Sequence, residues 1–260
     1  LAKALGVKGL LNIQFAIKDD TLFILEANPR ASRTMPFVSK VTGNQIIKAG
    51  TLLMLGHSLD SIKKTTNYLN SSTNKVAIKK AIFPWSRFPA EDTMLGPEMK
   101  ATGEVLGIGR SFGVALNKAY AAAGVEINEN EKGIFVSLSD QEKPNFIKIV
   151  KTYSDLGFKI YSTYGTGEYL KNNDINSTIV GRADETFPTS LTILQDKLIS
   201  LVINTPTFAN EYTDGWKIRR LSHETGVAVV SSVREAEAFL KAFLETTKSF
   251  EDMEAIQNVS

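Results

Sequence analysis

Apolar and polar side chains alternate near the start of the chain. Between residues 11 and 17 the apolar positions are separated by Asn12, Gln14 and Ala16, a period of two that is typical of a half-buried strand. The polar segment 18–20 predicts a turn, and the apolar segment 21–25 predicts the partner strand of a hairpin. Pro29 is expected to end the pairing, because proline has no backbone N–H to donate.

The middle of the chain gives a mixed pattern. In order, it predicts a helical region over 37–55, an exposed connection over 60–75, a strand over 76–83, a loop extending to residue 109, and a helix over 111–123. Gly124 is expected to close the last of these helices. A polar stretch near 125–132 has no apolar periodicity, so we place a domain boundary there, between domains 1–125 and 126–260.

Beyond the boundary, short apolar segments alternate with amphipathic ones. Strands are predicted over 134–138, 158–161, 199–203 and 227–230, with one helix after the first strand and a closing helix near the end. Short buried strands separated by helices predict a parallel sheet with helices on both faces. Ligands bind such sheets at the carboxyl ends of the strands, so the loops there are the place to look for a site.

Composition narrows the possible classes of protein. The chain has 260 residues and a formal net charge of +2, which argues against a nucleic-acid-binding arm. It has no cysteine, which excludes disulfide scaffolds and thiolate chemistry. No apolar run is long enough for a membrane span, and no cleavable leader precedes the first strand. We therefore expect a cytoplasmic α/β protein with no membrane or nucleic-acid partner, and the abrupt start at Leu1 reads as that of a fragment.

The predicted hairpin carries a set of oxygen donors. Gln14 and Glu26 lie on its two strands, and Asn28 follows Glu26 on the same face. Amide and carboxylate oxygens suit Mg²⁺, which usually shares its ligands with nucleotide phosphates. Arg30 and Arg33 follow and are suited to bind phosphate or carboxylate oxygens. The alternative is that these residues form the solvated outer face of an ordinary hairpin.

The same region resembles a known family. The segments 11–15 and 25–34 closely resemble the end of an ATP-grasp domain, and the segments 36–40, 95–99 and 102–105 are similar to the large subunit of carbamoyl phosphate synthetase. The resemblance covers the whole chain. It implies an α/β fold in which a truncated, C-terminal ATP-grasp portion with antiparallel strands precedes a Rossmann-like, parallel-sheet domain of the methylglyoxal synthase-like type.

The resemblance also implies roles for individual residues of the first domain. Gln14 and Glu26 would ligate the Mg²⁺ or Mn²⁺ bound with ATP, with Asn28 on one metal, and Arg30 would act as the catalytic cation on the transferring phosphoryl group. A further pair, Glu98 and Glu104, resembles acidic residues near the passage that delivers carbamate.

The resemblance implies an intact enzyme that makes carbamoyl phosphate from bicarbonate, glutamine-derived ammonia and two ATP. It also implies a glutaminase small subunit as partner and allows association of the enzyme into homo-oligomers. The glycine-rich lid and the adenine-binding strands of such a domain would lie upstream of Leu1. We therefore expect the 260-residue chain alone to be inactive.

The second domain carries a second group of polar residues at predicted strand ends. The segment 163–167 follows a strand and opens a helix, with hydroxyls, glycines and N–H groups suited to an anion. The other members of the group are Ser137, Lys143, Arg182, Asn204 and Thr205. Together they predict a phosphate-binding cradle. The alternative is a simple tight turn with solvated charges around it.

This half resembles the methylglyoxal synthase-like regulatory domain that closes the synthetase large subunit. The resemblance implies that a nucleotide effector such as UMP or IMP binds at Ser137, Lys143, Thr163, Thr166, Arg182, Asn204 and Thr205. Pro206 stands where a threonine can contact phosphate, so one donor is expected to be missing. The segment 181–186 lacks the glycine-glycine-aspartate pattern of the true synthase, which disfavours a stand-alone phosphate lyase.

Two further expectations complete the sequence-based hypothesis. Some family members bind ornithine through a glutamate and a Tyr-x-Thr, where this chain has Lys80, Val229 and Ser231. A lysine repels the ammonium group of ornithine, so no activation by ornithine is expected. A freestanding nucleotide-binding module without a catalytic parent remains the alternative to the synthetase fragment.

Overall fold

The fold divides into two compact units. The structure is a computed structural model that describes residues 1–66, 74–88, 93, 99, 103–125, 133–182, 185, 188–205 and 213–246. The division between the units falls between Val76 and Ala77. The domain boundary predicted near residue 125 lies inside the second unit and stays a prediction. Among the described residues, none of the helices has both the length and the apolar character needed to cross a bilayer.

The first unit opens with the predicted hairpin. Strands β1 (Asn12–Lys18) and β2 (Thr21–Asn28) pair antiparallel. Asp19 and Asp20 form the two-residue turn with φ values of 48° and 57°, the left-handed conformation that suits the twist of a tight hairpin and that aspartate tolerates. The hairpin prediction is confirmed, but the expected half-burial is wrong, because six large apolar side chains of the hairpin are exposed: Phe15, Ile17, Leu22, Phe23, Ile24 and Leu25.

Three helices follow in the first unit. They are α1 (Thr34–Thr42), α2 (Ile46–Met54) and α3 (Leu59–Thr65). The helical region predicted over 37–55 is confirmed as two helices. The exposed connection predicted from residue 60 is wrong as far as Thr65, because Ser58 caps a helix there by accepting a hydrogen bond from the Ser61 N–H, and Ile62 is buried.

The second unit begins with a small sheet and a helix. Strands β3 (Val76–Ile82) and β4 (Gly103–Gly109) form a two-stranded sheet, and α4 (Phe112–Ala122) follows. The loop predicted up to residue 109 is wrong over β4. A Cβ on Gly107 would lie 2.0 Å from the Ala115 carbonyl oxygen, so glycine is required there for the strand to pack against α4.

The rest of the second unit is the predicted parallel sheet. Its strands are β5 (Gly133–Ser137), β6 (Lys159–Ser162), β7 (Thr178–Ile179), β8 (Leu201–Asn204) and β9 (Ala228–Val230), arranged in the order β7-β6-β5-β8-β9 with every pair parallel. Its helices are α5 (Lys143–Asp155), α6 (Tyr164–Lys171), α7 (Ser190–Gln195), α8 (Asp214–Thr225) and α9 (Val233–Thr246).

Apolar cores cover both faces of this sheet. Ile134 and Val136 of β5 pack in one buried cluster with Phe146 of α5 and Phe239 of α9. The intervening Phe135 packs in the other cluster, whose members include Ile193 of α7 and Ile218 of α8. Alternate residues of a strand point to opposite faces, so the prediction of helices on both faces is confirmed. Because the helices cover the faces of the sheet, a ligand site is expected at the ends of the strands.

Candidate functional site

The hairpin brings three oxygen donors of the first unit together. Gln14 and Glu26 are direct cross-strand partners, and the Asn28 side chain donates a hydrogen bond to Glu26 Oε1 at 2.9 Å. Gln14 and Glu26 are exposed, and Asn28 is half-buried. The structure therefore brings these three residues together on the hairpin.

The donor set fits a cation that is shared with another ligand. It contains one carboxylate and two amides, and no group of three or more His, Asp or Glu side chains that could hold a metal ion occurs among the described residues. Mg²⁺ commonly binds one or two protein carboxylates and completes its shell with water and substrate phosphates. The three residues match that partial shell better than a complete protein cage.

The other residues predicted for the first domain are less closely grouped. Arg30 is exposed, and its Nη1 donates to the carbonyl oxygen of Ala31 at 3.0 Å. Glu104 lies on β4, where its carboxylate forms an ion pair with Lys79 of β3 at 3.2 Å. Glu98 lies outside the described residues. The catalytic role of Arg30 and the passage role of the two glutamates therefore stay predictions.

In the second unit, the parallel register places the predicted strand-end residues at one edge. Ser137 at the end of β5 pairs with Asn204 at the end of β8. Val136 pairs with Ser162, so Thr163 follows β6 at the same level. The carboxyl ends of three neighbouring strands therefore meet where the sequence predicted a phosphate cradle.

Two buried hydroxyls connect this edge to the loop that follows β5. Thr166 Oγ1 accepts hydrogen bonds from the Leu138 N–H at 3.0 Å and from the Thr163 hydroxyl at 3.2 Å. Thr205 Oγ1 accepts one from the Ser139 N–H at 2.8 Å. A hydroxyl has two acceptor positions and one donor, so Thr166 has only its hydroxyl hydrogen left to offer, which suits an anionic ligand.

Lys143 supplies a cation beside this network. Its ammonium group lies 3.7 Å from the position that a Cβ on Gly165 would take, which places it directly against the segment 163–167. The Asp140 carboxylate holds the same ammonium at 2.5 Å. The Lys143 side chain is only 12% exposed, whereas that of Asp140 is 91% exposed, so a ligand anion can replace Asp140 without a change in the buried part of the lysine.

Arg182 joins the group through a second carboxylate. Its Nε lies 4.0 Å from Asp214 Oδ2 at the start of α8, and its side chain is 73% exposed. The backbone N–H of Arg182 donates to Glu185 at 2.9 Å. The structure thus links Arg182 to Asp214 of α8. The residue that follows Asp214, Gly215, lies against Asn204.

Arg219 was missed by the sequence reasoning. Its guanidinium is buried and donates to Asn204 Oδ1 at 2.7 Å. The local sequence around it is polar and gives no sign of burial, which follows only from the position of α8 against β8. The sequence reasoning also assigned Gly167 to ligand access, whereas a Cβ there would lie 2.7 Å from Ser162 Oγ and 2.8 Å from Ile179. Gly167 is therefore required for packing.

The residue at the ornithine-matched position forms contacts of its own. Lys80 Nζ lies 4.3 Å from the centre of the Tyr120 ring, a cation–π distance. Burial lowers the pKa of Lys80, although Glu235 partly opposes that shift. Glu235 also accepts a hydrogen bond from the Ser231 N–H at 3.2 Å. Lys80 and Ser231 therefore already contact other groups of the protein.

Comparison with known proteins follows the same division of the chain. Residues 1–62 match the family described as carbamoyl-phosphate synthase L chain, ATP binding domain, and residues 145–231 match the family described as MGS-like domain. The first match contains the hairpin donors, and the second contains most of the cradle.

Curated relatives match almost the whole chain. It is 38% identical, over 97% of its length, to the carbamoyl phosphate synthase large chain, C-terminal section, of Aquifex aeolicus, and covers 49% of that protein. It is 39% identical, over 99% of its length, to the carbamoyl phosphate synthase large chain of Synechocystis, and covers 24% of it. A third relative, the C-terminal section from Methanocaldococcus jannaschii, is 38% identical, and the chain covers 42% of it.

The chain thus spans about half the length of the curated C-terminal sections it matches, or less. One family match contains the hairpin, and the other falls within the part of the chain that forms the parallel sheet. Along almost its whole length, the chain is therefore similar to the C-terminal part of carbamoyl phosphate synthase large chains.

Proposed function

We propose that the protein of which this chain is part makes carbamoyl phosphate from bicarbonate, glutamine-derived ammonia and two ATP, and that the second unit binds a nucleotide effector through its phosphate. The family supports the reaction, and the polar edge of the sheet supports the effector site. The observation that carries the proposal is the meeting of three strand ends with the Lys143 ammonium, which lies against Gly165.

The chemistry of the cradle favours a phosphate group. Lys143 and Arg182 are both held by aspartates, Asp140 and Asp214, and phosphate oxygens form the same charge-assisted bonds as a carboxylate. The hydroxyl hydrogen of Thr166 and the helix N-terminus at Thr163 are further donors for an anion. A ribose phosphate such as that of UMP or IMP supplies acceptors for these groups.

In the first unit, we propose that Gln14, Glu26 and Asn28 contribute to the site that phosphorylates carbamate. They would hold Mg²⁺ or Mn²⁺ bound with ATP, and Arg30 would face the transferring phosphoryl group. The cation supplies charge neutralisation in such transfers. The role of the protein residues is to orient the metal–nucleotide complex.

The exposed apolar side chains of the hairpin support the proposal of a larger enzyme. Ile17 and Leu25 are 75% and 64% exposed, and large exposed apolar side chains in such number mark a place where another surface packs. We propose that residues of the intact large chain beyond this segment cover it, that a glutaminase subunit supplies ammonia to that chain, and that the enzyme acts in the cytoplasm. A freestanding module would leave this surface without a role.

Thermal unfolding of the 260-residue chain tests the effector site. UMP, IMP and inorganic phosphate are each expected to raise the melting temperature in a concentration-dependent way, because a ligand that binds only the folded state stabilises it. Uridine, which lacks the phosphate, is expected to leave the melting temperature unchanged, and so is ornithine. Equal shifts with UMP and uridine, or none with any phosphate compound, would contradict the proposal.

A further inference from the structure

Helix α8 carries two adjacent buried arginines that contact different parts of the second unit. Arg219 Nη1 donates to Asn204 Oδ1 at 2.7 Å, and Arg220 Nη1 donates to the Phe88 carbonyl oxygen at 2.7 Å. Their relative exposures are 5% and 7%. A buried guanidinium is costly unless it is well bonded, so both contacts place constraints on the position of the helix.

The first contact fixes the orientation of Asn204. A guanidinium can only donate hydrogen bonds, so the amide oxygen of Asn204 faces Arg219 and the amide nitrogen is the group left to donate. That nitrogen lies 3.4 Å from the Ser137 carbonyl oxygen, at the edge where the strand ends meet. Gly215 allows the close approach, since a Cβ there would lie 3.1 Å from Arg219 Nη1 and 3.4 Å from Asn204 Oδ1.

The second contact holds the segment 83–88 against α8. Arg220 is itself oriented by an ion pair with Glu224 at 2.8 Å. Within the segment, Trp85 is buried and stacks on Phe83 with a centroid distance of 5.2 Å. The imidazole of His223, on α8, lies 6.0 Å from the Trp85 ring. The segment 83–88 therefore rests on the helix through both a hydrogen bond and ring contacts.

We propose that Arg219 is a positioning residue for the effector site, and that α8 transmits occupancy of that site to the segment 83–88 through Arg220. The proposal rests on the proposed function, because it needs a ligand in the cradle. A ligand that accepts a hydrogen bond from Asn204 favours one orientation of that amide and hence one position of Arg219. Since neighbouring residues of a helix move together, the same preference acts on the bond between Arg220 and Phe88.

Trp85 fluorescence tests the transmission. The chain has two tryptophans, so a Trp216→Phe background leaves Trp85 as the only one. In that background, UMP is expected to change the Trp85 emission, and the dependence of that change on UMP concentration should give the same Kd as calorimetry. Arg220→Gln is expected to abolish the emission change while calorimetric affinity stays within about twofold. The matched control is Glu224→Gln, whose amide oxygen can still accept the hydrogen bond from Arg220 Nε, so the contact with Phe88 and the response are both expected to persist.

Affinity measurements test the positioning role. Arg219→Gln is expected to weaken UMP binding about tenfold, in line with the loss of a charge-assisted hydrogen bond, and Arg219→Lys, which can still donate to Asn204, is expected to recover part of the loss. Hydrogen exchange of peptides covering 83–88 in the unsubstituted chain gives a second readout, with slower exchange expected when UMP is bound.

The outcomes separate this proposal from the proposed function. If UMP neither releases heat nor stabilises the chain, the effector site itself is wrong. If UMP binds but neither the Trp85 emission nor the exchange of residues 83–88 changes, the transmission is wrong. If Arg219→Gln binds UMP as tightly as the unsubstituted chain, the positioning role is wrong.

Discussion

Two buried threonine hydroxyls, those of Thr166 and Thr205, hold the loop after β5 in place at the proposed effector site. The sequence predicted both residues at the cradle but assigned their hydroxyls to the ligand alone. Hydrogen bonds to Leu138 and Ser139 depend on residues brought together by the fold, over separations of 28 and 66 positions. That dual use could not be predicted from the order of residues along the chain.

Thr166→Val should show how much the loop depends on this hydroxyl. The substitution leaves the Leu138 N–H buried without an acceptor, so we expect a loss of about 1–3 kcal/mol in the free energy of unfolding. Weaker UMP binding should accompany it. Urea unfolding measures the first effect and calorimetry the second. Thr166→Ser keeps the hydroxyl and should retain most of both; equal losses for Val and Ser would argue against the hydrogen-bond explanation.

His223 gives a pH dependence with a defined direction. Burial, followed by the charges of Lys80, Arg220 and Arg219, lowers its pKa from 6.5 to about 4. The unfolded chain therefore binds a proton more readily than the folded one between these pH values. Its contribution to stability is complete above pH 6.5 and is lost as the pH falls toward 4.

The test compares urea midpoints at pH 7.5 and pH 5. His223→Gln should reduce the loss of stability between these two conditions, because glutamine does not titrate. His57, the other histidine of the chain, is exposed, and His57→Gln serves as the matched control with no expected change. An unaltered pH dependence in His223→Gln would show that other groups cause it.

At the scale of elements, regular spacing of apolar residues was enough to predict several helices and strands, whether or not those residues are buried. The hairpin, α5 and α9 follow from such patterns. Strand β4 and helix α8 did not, because the glycines of β4 resemble a loop and α8 contains a run of charged residues. Both elements form because of close tertiary packing, which local propensity does not encode.

Helix α9 caps helix α4 from a distance in sequence. Glu245 accepts a hydrogen bond from the Gly113 N–H at 2.6 Å, near the start of α4. The pKa of the Glu245 carboxyl is lowered, and a hydrogen bond from Ser111 is the largest cause of that shift. Because an anionic acceptor satisfies an otherwise unpaired N–H at the positive end of the helix, we expect this contact to stabilise the second unit.

Glu245→Ala is expected to lower the free energy of unfolding by about 1 kcal/mol at neutral pH. Since the native pKa is lowered, this contribution is present above the unfolded pKa and disappears as the pH falls through the native value. Lys241→Ala is the control, because it leaves the Gly113 contact in place. It removes the partner of a 3.9 Å surface ion pair with Glu245 and a cation–π contact with the Phe112 ring at 5.4 Å, and should cost a few tenths of a kcal/mol. Equal effects of the two substitutions in denaturant titrations would contradict the capping role.

At the scale of the molecule, the resemblance to carbamoyl phosphate synthase large chains came from motifs in both halves of the chain, and the two family matches support it. The exposure of the apolar side chains of the hairpin was not predicted. An alternating pattern indicates that one face is to be covered, but it does not say which residues cover it. The same limit applies to Arg30, whose role depends on groups beyond its own local contacts.

The 260-residue chain alone is expected to lack catalysis. The hairpin of its first unit offers a partial metal shell with a single carboxylate, and phosphoryl transfer requires the nucleotide to be held in place around it. Phosphate release by the purified 260-residue chain, measured with ATP, Mg²⁺ and bicarbonate, should not exceed the background without protein. Bicarbonate-dependent release that Glu26→Gln abolishes would contradict this expectation.

The most direct test of the central claim is calorimetric titration of UMP into the unsubstituted chain, Lys143→Gln and Lys148→Gln. Lys148 is exposed on the same helix, so the two variants lose the same charge from different positions. Saturable binding by the unsubstituted chain and Lys148→Gln, with about tenfold weaker binding by Lys143→Gln, is the predicted result. Absence of binding to the unsubstituted chain, or equal affinities for all three proteins, would contradict a phosphate site at the strand ends.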